Sequence, residues 1–218
     1  MGREAQASKA RPTTAGIERY LEAIYAMGDE GRDDIAARFA EYVGVVAPTV
    51  TEALRRLVRE GYVALSQRRE IEFTPKGREI AERIVRPHRL SERLLTDLLG
   101  VPWFDVHEEA SRLEHAISPS VEAKLAALLG EPATCPHGNP IPGSGTPNLE
   151  SGFYLDVASQ GDVLVEEGFT EQADQDSRLL EFFHRNGIVP GATAAVAQIA
   201  PSADAIELRV GDQTVSIS

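Results

Sequence analysis

From Ile17 the apolar positions recur as Ile17, Tyr20, Leu21, Ile24 and Tyr25, the three-and-four spacing of an amphipathic helix. The segment "RDDIAARFA" predicts a second, short helix. In "GVVAPTVTEALRRLVREGYV", Pro48 and Thr49 open a third helix whose apolar face is Leu54, Leu57 and Val58. Gly61 stands where a C′ glycine ends a helix. "YVALSQRREIEFTPKG" then reads as two short strands about a polar tip, followed by a Thr-Pro helix start. Helix, short helix, helix and hairpin in this order predict a winged helix-turn-helix. Pro48, Thr49, Thr51, Glu52, Arg55 and Arg56 fall on or near the exposed face of the third helix. Gln67, Arg68 and Arg69 fall at the wing tip, where they would meet phosphates.

A long helical pattern follows in "KGREIAERIVRPHRLSERLLTDLLG", with Pro87 expected to interrupt or kink it. Pro87 directly precedes His88 and reads equally as a hinge or as a static bend. Further helices are expected over about 105–117 and 119–129. "LLTDLLGVPWF" offers apolar surface, with Trp103 and Phe104, to a dimer partner or to the core. "GEPATCPHGNPIPGSGTPNLESG" is dense in Pro and Gly and reads as a loop and linker. Beyond it "QGDVLVEEGF", "ATAAVAQIA" and "AIELRVGDQTVSIS" alternate like strands. A helix between them is closed by Asn186-Gly187. Short strands with one helix predict a small barrel-like C-terminal domain.

Charge refines this picture. The 218-residue chain has net charge −12, which by itself disfavours nucleic acid. Residues 1–90, however, hold 16 Lys and Arg against 14 Asp and Glu, whereas the rest hold 6 against 20. Only the first part is suited to approach phosphates. No apolar run reaches the roughly 18 residues that cross a membrane, and the first residues lack the apolar core of a secretory signal. A cytoplasmic location is the expectation. One cysteine, Cys135, rules out an intrachain disulfide.

The chemistry-bearing residues concentrate between 88 and 137. On one helix, His107, Ser111, Glu114 and His115 of "VHEEASRLEH" share about a third of the circumference, with Glu108 at its edge. His88 and Glu92 are one turn apart on the preceding helix. Glu22 sits near the core edge of the first helix. Cys135 and His137 of "CPHG" could reach one ion from a loop. Imidazoles and carboxylates on facing helices are a way to build a divalent-metal site in a helical core. Each pair alone is an ordinary solvated pair; their company points to metal.

"TTAGIERYLEAIY", "APTVTEALRRLVREGYV", "HRLSERLLTDLLG", "RLEHAIS" and "CPHGNPIPG" resemble the diphtheria toxin repressor and manganese transport regulator family, from about Thr13 to Ser218. The resemblance implies an α+β architecture. A flexible arm would span 1–12, a winged helix-turn-helix 13–76, and a helical metal-binding and dimerisation domain 77–131. A Pro/Gly-rich linker would span 132–150 and an SH3-like domain of the ferrous-iron-transport type 151–218. It further implies a homodimeric repressor, with Mn²⁺ or Fe²⁺ as co-effector at two sites per subunit and a palindromic operator near metal-transport genes.

Carried over residue by residue, the resemblance assigns Glu22, His88, Glu114 and His115 to a primary site. Arg19 and Ser111 depart from the family there. Arginine cannot ligate, so the site would be weakened, would recruit Glu108, or would be locked by an Arg19 ion pair with Glu22 or Glu114. The other site would use His88, Glu92, His107, Cys135 and His137, with Gln175, Glu171 or Asp174 from the C-terminal domain. Gln172 falls where a glutamate is expected. Pro48 matches a family base contact, while Val46 and Glu52 depart from the Ser and Gln of some members. A metal-independent regulator is the second reading. A metallohydrolase is the remote third, since it leaves the helix-turn-helix unexplained and no nucleophile is evident.

Overall fold

The computed structural model describes residues 14–29, 36–67, 70–145, 152–200 and 205–218. Helices α1 (Ala15–Asp29), α2 (Ala36–Val43) and α3 (Ala47–Arg59) precede the antiparallel hairpin β1 (Val63–Leu65) and β2 (Ile71–Phe73). Their apolar faces meet in one core of Leu21, Ile24, Phe39, Val50, Leu57 and Val63. The end of α3 follows the local signal. Gly61 adopts φ +74°, Tyr62 N–H donates to the Leu57 carbonyl and Gly61 N–H to that of Val58. This is a Schellman closure that a side chain at Gly61 would strain.

Helix α4 (Pro75–Arg93) starts from Thr74, whose Oγ1 accepts from Gly77 N–H. Gly77 lies so close to the wing that a Cβ there would sit 1.8 Å from the Tyr62 carbonyl oxygen. The expected interruption at Pro87 does not occur: α4 runs through it. Pro87 is buried among Val85, His88, Arg89 and Leu90; it costs the helix one N–H, and α4 continues through it. The irregularity comes later, as a single π turn over Leu94–Leu98. A 3₁₀ turn (Trp103–Asp105), α5 (Val106–Leu113), a second 3₁₀ turn (Glu114–Ala116) and α6 (Pro119–Leu128) complete the helical part.

The segment expected as linker is built instead, from Ala133 to Ile141, as a tight hairpin. Thr134 bridges Pro140, Cys135 N–H donates to Asn139 O, and Ile141 N–H donates to Ala133 O. Residues 146–151 of that segment, and Arg68 and Arg69 of the wing tip, lie outside the described residues. The C-terminal part is a four-stranded antiparallel meander of β3 (Val163–Val165), β4 (Thr193–Ala200), β5 (Ala205–Val210) and β6 (Gln213–Ile217). Short α7 (Glu171–Asp174) and α8 (Ser177–Arg185) connect β3 to β4. Its core is Leu180, Phe183, Val196, Leu208 and Val215. Trp103 and Phe104 pack against this core, with Trp103 stacked on Phe169 and donating to His184 Nδ1 at 2.9 Å. Trp103 and Phe104 are thus used within the chain, whereas Leu98 and Leu99 of the same stretch are exposed.

Candidate metal centre

Four parts of the chain converge on α4. Glu22 comes from α1, His88 and Glu92 from α4, and His107 and Glu114 from α5 and the turn after it. Cys135 and His137 come from the hairpin, and Glu171 and Asp174 from α7. Among the described residues their donor atoms form three triads, each with all atoms within 4.8 Å of one another: Glu22–His88–Glu114, His88–His107–Glu171 and Glu92–Cys135–His137. Asp174 adjoins the third, with Oδ2 3.4 Å from His137 Nδ1.

The geometry is held by the backbone and by arginines. His137 Nε2–H donates to the Trp103 carbonyl at 2.8 Å, which leaves Nδ1 facing Glu92 Oε1 at 3.3 Å. Gly138, at φ +95°, lets the hairpin touch the C-terminal part, since a Cβ there would lie 2.2 Å from the Glu167 carbonyl oxygen. Phe169 N–H donates to the His137 carbonyl. On α4, Arg86 donates to the Pro142 carbonyl, Arg89 to that of Pro140 and Arg93 to that of Thr134. Arg89 is 3% exposed and also lies 3.9 Å from Glu171. The sequence reading missed these three arginines and Asn139, whose amide donates to Asp174. The signal was the spacing 86, 89, 93 on one face of α4.

Burial sets the electrostatics. It pushes the Glu22 carboxyl up to about 7, with Glu171 and Glu114 adding to the rise and His88 opposing it. Burial pulls His88 down, but Glu92, Glu114 and Glu171 together hold it well above the ordinary imidazole value. His137 is likewise opposed by burial, yet Glu92 and Asp174 raise it to about 9. Glu92, 1% exposed, resists burial because His137, His88 and His107 hold it well below the usual range. Burial raises both the Cys135 thiol and Asp174. Carboxylates packed this closely need a compensating positive charge. The buried Asp174 Oδ1 has no partner among the described residues, and imidazole with carboxylate oxygen is the donor set of a divalent first-row cation. The residues fit such an ion.

The other candidate residues lie apart from these triads. His115 does not join Glu22, His88 and Glu114: α5 stops at Leu113 and the chain tightens into a 3₁₀ turn, leaving the His115 side chain 72% exposed. Glu108 is exposed and paired with Arg112 one turn on. Arg19 does not substitute for an ion, since Nη2 donates to the Val43 carbonyl at 3.2 Å. Ser111 turns back on its own helix, its hydroxyl donating to the His107 carbonyl at 3.0 Å. Gln175 and Gln172 are exposed, while Glu171 and Asp174 of the same short helix point inward. On α3, Pro48, Thr49, Thr51, Glu52, Arg55 and Arg56 are exposed and Val50, Leu54 and Leu57 buried. Gln67 is exposed as well.

A winged helix joined to a buried acid–histidine cluster defines a metal-regulated DNA-binding protein. Residues 12–71 match the iron dependent repressor N-terminal DNA binding domain, and residues 74–143 match the iron dependent repressor metal binding and dimerisation domain. The chain is 35% identical over 210 residues to the iron-dependent repressor IdeR of Mycobacterium leprae (strain TN), covering 92% of this chain and 91% of that protein. It is 37% identical over 176 residues to the diphtheria toxin repressor of Corynebacterium diphtheriae, covering 75% and 78%. The solved structure of a manganese-dependent transcriptional repressor in complex with manganese superposes with TM-score 0.76 at 32% identity, covering 92% and 94%. The chain belongs to the iron-dependent repressor family, and it is a metal-dependent DNA-binding transcriptional regulator of metal homeostasis.

Proposed function

We propose that Mn²⁺ or Fe²⁺ occupies this centre and promotes operator binding by a homodimer in the cytoplasm, repressing metal-transport genes. The observation that carries this reading is the position of Glu22. It lies on α1, a helix packed in the core of the DNA-binding unit, yet forms one triad with His88 and Glu114. An ion held by all three would fix the winged helix relative to α4 and α5. It need only bind the DNA-competent arrangement better than the idle one. In a dimer this fixes the spacing of two α3 helices, which a palindromic operator requires to be about one turn of DNA or a multiple of it. Leu98, Leu99, Val121 and Leu128 are exposed apolar side chains of the helical part and are candidates for the dimer surface.

The ligands we assign are Glu22, His88 and Glu114 for one ion, and Glu92, Cys135 and His137 with Asp174 for another. His107 and Glu171 lie between them. Carboxylate and imidazole in the first set suit Mn²⁺ or Fe²⁺, while the thiol of the second also suits softer ions. A gel shift with candidate operator DNA, run with Mn²⁺, Fe²⁺, Zn²⁺ and chelator, tests the reading. Tight binding with Mn²⁺ or Fe²⁺, lost on chelation, is expected. Binding unchanged by chelation would establish the metal-independent alternative.

A further inference from the structure

Among the described residues, His88 is common to two of the three triads. It is 4% exposed, and its ring presents one nitrogen to each. Nδ1 lies 2.6 Å from Glu114 Oε2, in the triad completed by Glu22. Nε2 lies 3.1 Å from Glu92 Oε1 and 3.3 Å from His107 Nδ1, toward the triad completed by Glu171. A neutral imidazole has one lone pair for a ligand bond and one N–H. Ligation through either nitrogen leaves the proton on the other. Two ions at once would require a ring stripped of both protons, with two dications facing each other across it in a buried site.

We propose that these two triads are mutually exclusive positions for one ion, so that three triads hold two ions per subunit. This rests on the metal reading above. Each position comes with an acceptor for the idle nitrogen. With the ion on Nδ1, the Nε2–H donates to Glu92; with the ion on Nε2, the Nδ1–H donates to Glu114. Such partners orient a ligating imidazole and raise its basicity. The choice has a mechanical meaning. On the Nδ1 side the ion is shared with Glu22 of α1, in the DNA-binding unit. On the Nε2 side it is shared with Glu171 of α7, in the C-terminal part. Glu171 thus competes with Glu22 for the same ion, and the C-terminal part acts as a brake on the coupling to α1.

Counting ions tests this. The full chain is dialysed to equilibrium against Mn²⁺ and bound metal is measured per subunit, with circular dichroism confirming that each variant is folded. Two ions are expected on the wild type. Glu114→Gln and Glu171→Gln are each expected to keep two, because the ion moves to the intact side of His88. The double variant keeps one, at Glu92–Cys135–His137. Three ions on the wild type, or one ion on either single variant, would overturn the proposal. No bound ion on the wild type would instead sink the metal reading itself.

Discussion

Arg93 of α4 and Thr134 of the hairpin are joined by a 2.7 Å hydrogen bond from Nε to the backbone carbonyl. The same guanidinium reaches the Cys135 carbonyl at 3.3 Å through Nη2. With Arg86 and Arg89 it suspends a Pro/Gly-rich loop from the helix that carries Glu92. The proposed ligands Cys135 and His137 are therefore placed by α4 on both sides, once through Glu92 and once through the loop backbone. Arg93→Ala should weaken metal binding at the Glu92–Cys135–His137 triad roughly 10- to 100-fold, the usual effect of losing a group that orients ligands. Co²⁺ titration, followed by the thiolate charge-transfer band, reads this triad alone. Lysine should not rescue, because it lacks the planar fork that reaches two carbonyls. An unchanged Co²⁺ affinity in Arg93→Ala would show that the hairpin holds its shape without the clamp.

That hairpin also shows where the sequence stopped being legible. The winged helix could be read because its signals are local: Pro48 at the start of α3, Gly61 at its end, Thr74 capping α4. The acid–histidine cluster could be read too, since His88, Glu92, His107, Cys135 and His137 are concentrated and α4 spaces its pair by one turn. The order of 133–141 could not, because Pro and Gly density is shared by linkers and by loops tied down from outside. Here the ties are arginine side chains dozens of residues away. The exposed position of His115 was not legible for a related reason. Helical spacing puts it beside Glu114, but the helix ends at Leu113, and apolar periodicity does not fix a terminus to the residue.

The raised carboxyl of Glu22 makes stability depend on pH in a definite direction. Its ordinary value is 4.5 and its folded value about 7, so the fold favours the neutral acid. That contribution is fully present below 4.5 and is lost as pH rises through 7. It amounts to on the order of 3 kcal/mol. In chelator, urea midpoints of the wild type should fall between pH 4.5 and 7.5 relative to those of Glu22→Gln, which has no proton to lose there. With Glu22 as a ligand, as proposed, Mn²⁺ binding displaces the same proton, so calorimetry at pH 6 in buffers of different ionisation enthalpy should show proton release in the wild type that is reduced in the variant. Parallel urea curves for the two proteins would refute the assignment.

Glu92 is the charge on which the histidines depend. Its Oε1 lies 3.1 Å from His88 Nε2, 3.3 Å from His137 Nδ1 and 3.5 Å from His107 Nδ1. Glu92→Gln keeps the shape and removes the charge, leaving buried imidazoles without their main partner. We expect about 3 kcal/mol lost from the metal-free protein at neutral pH, measured by urea unfolding. The His137 titration should also move down from about 9, as followed by NMR. A loss below roughly 0.5 kcal/mol, the scale of a surface substitution, would mean that His88 and His137 are neutral in the metal-free state.

Gly77 sets the joint between wing and helix. A methyl group there would sit 1.8 Å from the Tyr62 carbonyl oxygen, so Gly77→Ala forces backbone apart where Thr74 N–H also donates to that carbonyl. The cost should be about 2 kcal/mol or more, seen as a lowered Tm. Metal stoichiometry should be unaffected, since the proposed ligands on α4 begin at His88, about three turns beyond.

The outward face of α3 carries the test of DNA contact. Arg55 is exposed and lies 3.7 Å from Glu52, a loose pair that a phosphate can displace. Arg56 is held closer, at 2.9 Å from Glu60, so freeing it for DNA costs more. Arg55→Ala should therefore weaken operator binding more than Arg56→Ala. It should do so almost equally for operator and unrelated DNA, because a phosphate contact carries no sequence information. Each lost contact lowers the slope of log affinity against log salt by about one. Glu52 behaves differently. A carboxylate on this face is repelled by phosphates, so Glu52→Ala should strengthen binding to unrelated DNA. A simultaneous loss of preference among operators would then mark Glu52 as a base reader, accepting from a cytosine amino group. Fluorescence anisotropy across a salt series, with saturating Mn²⁺, separates these outcomes; unchanged salt slopes in both arginine variants would take α3 out of the DNA interface.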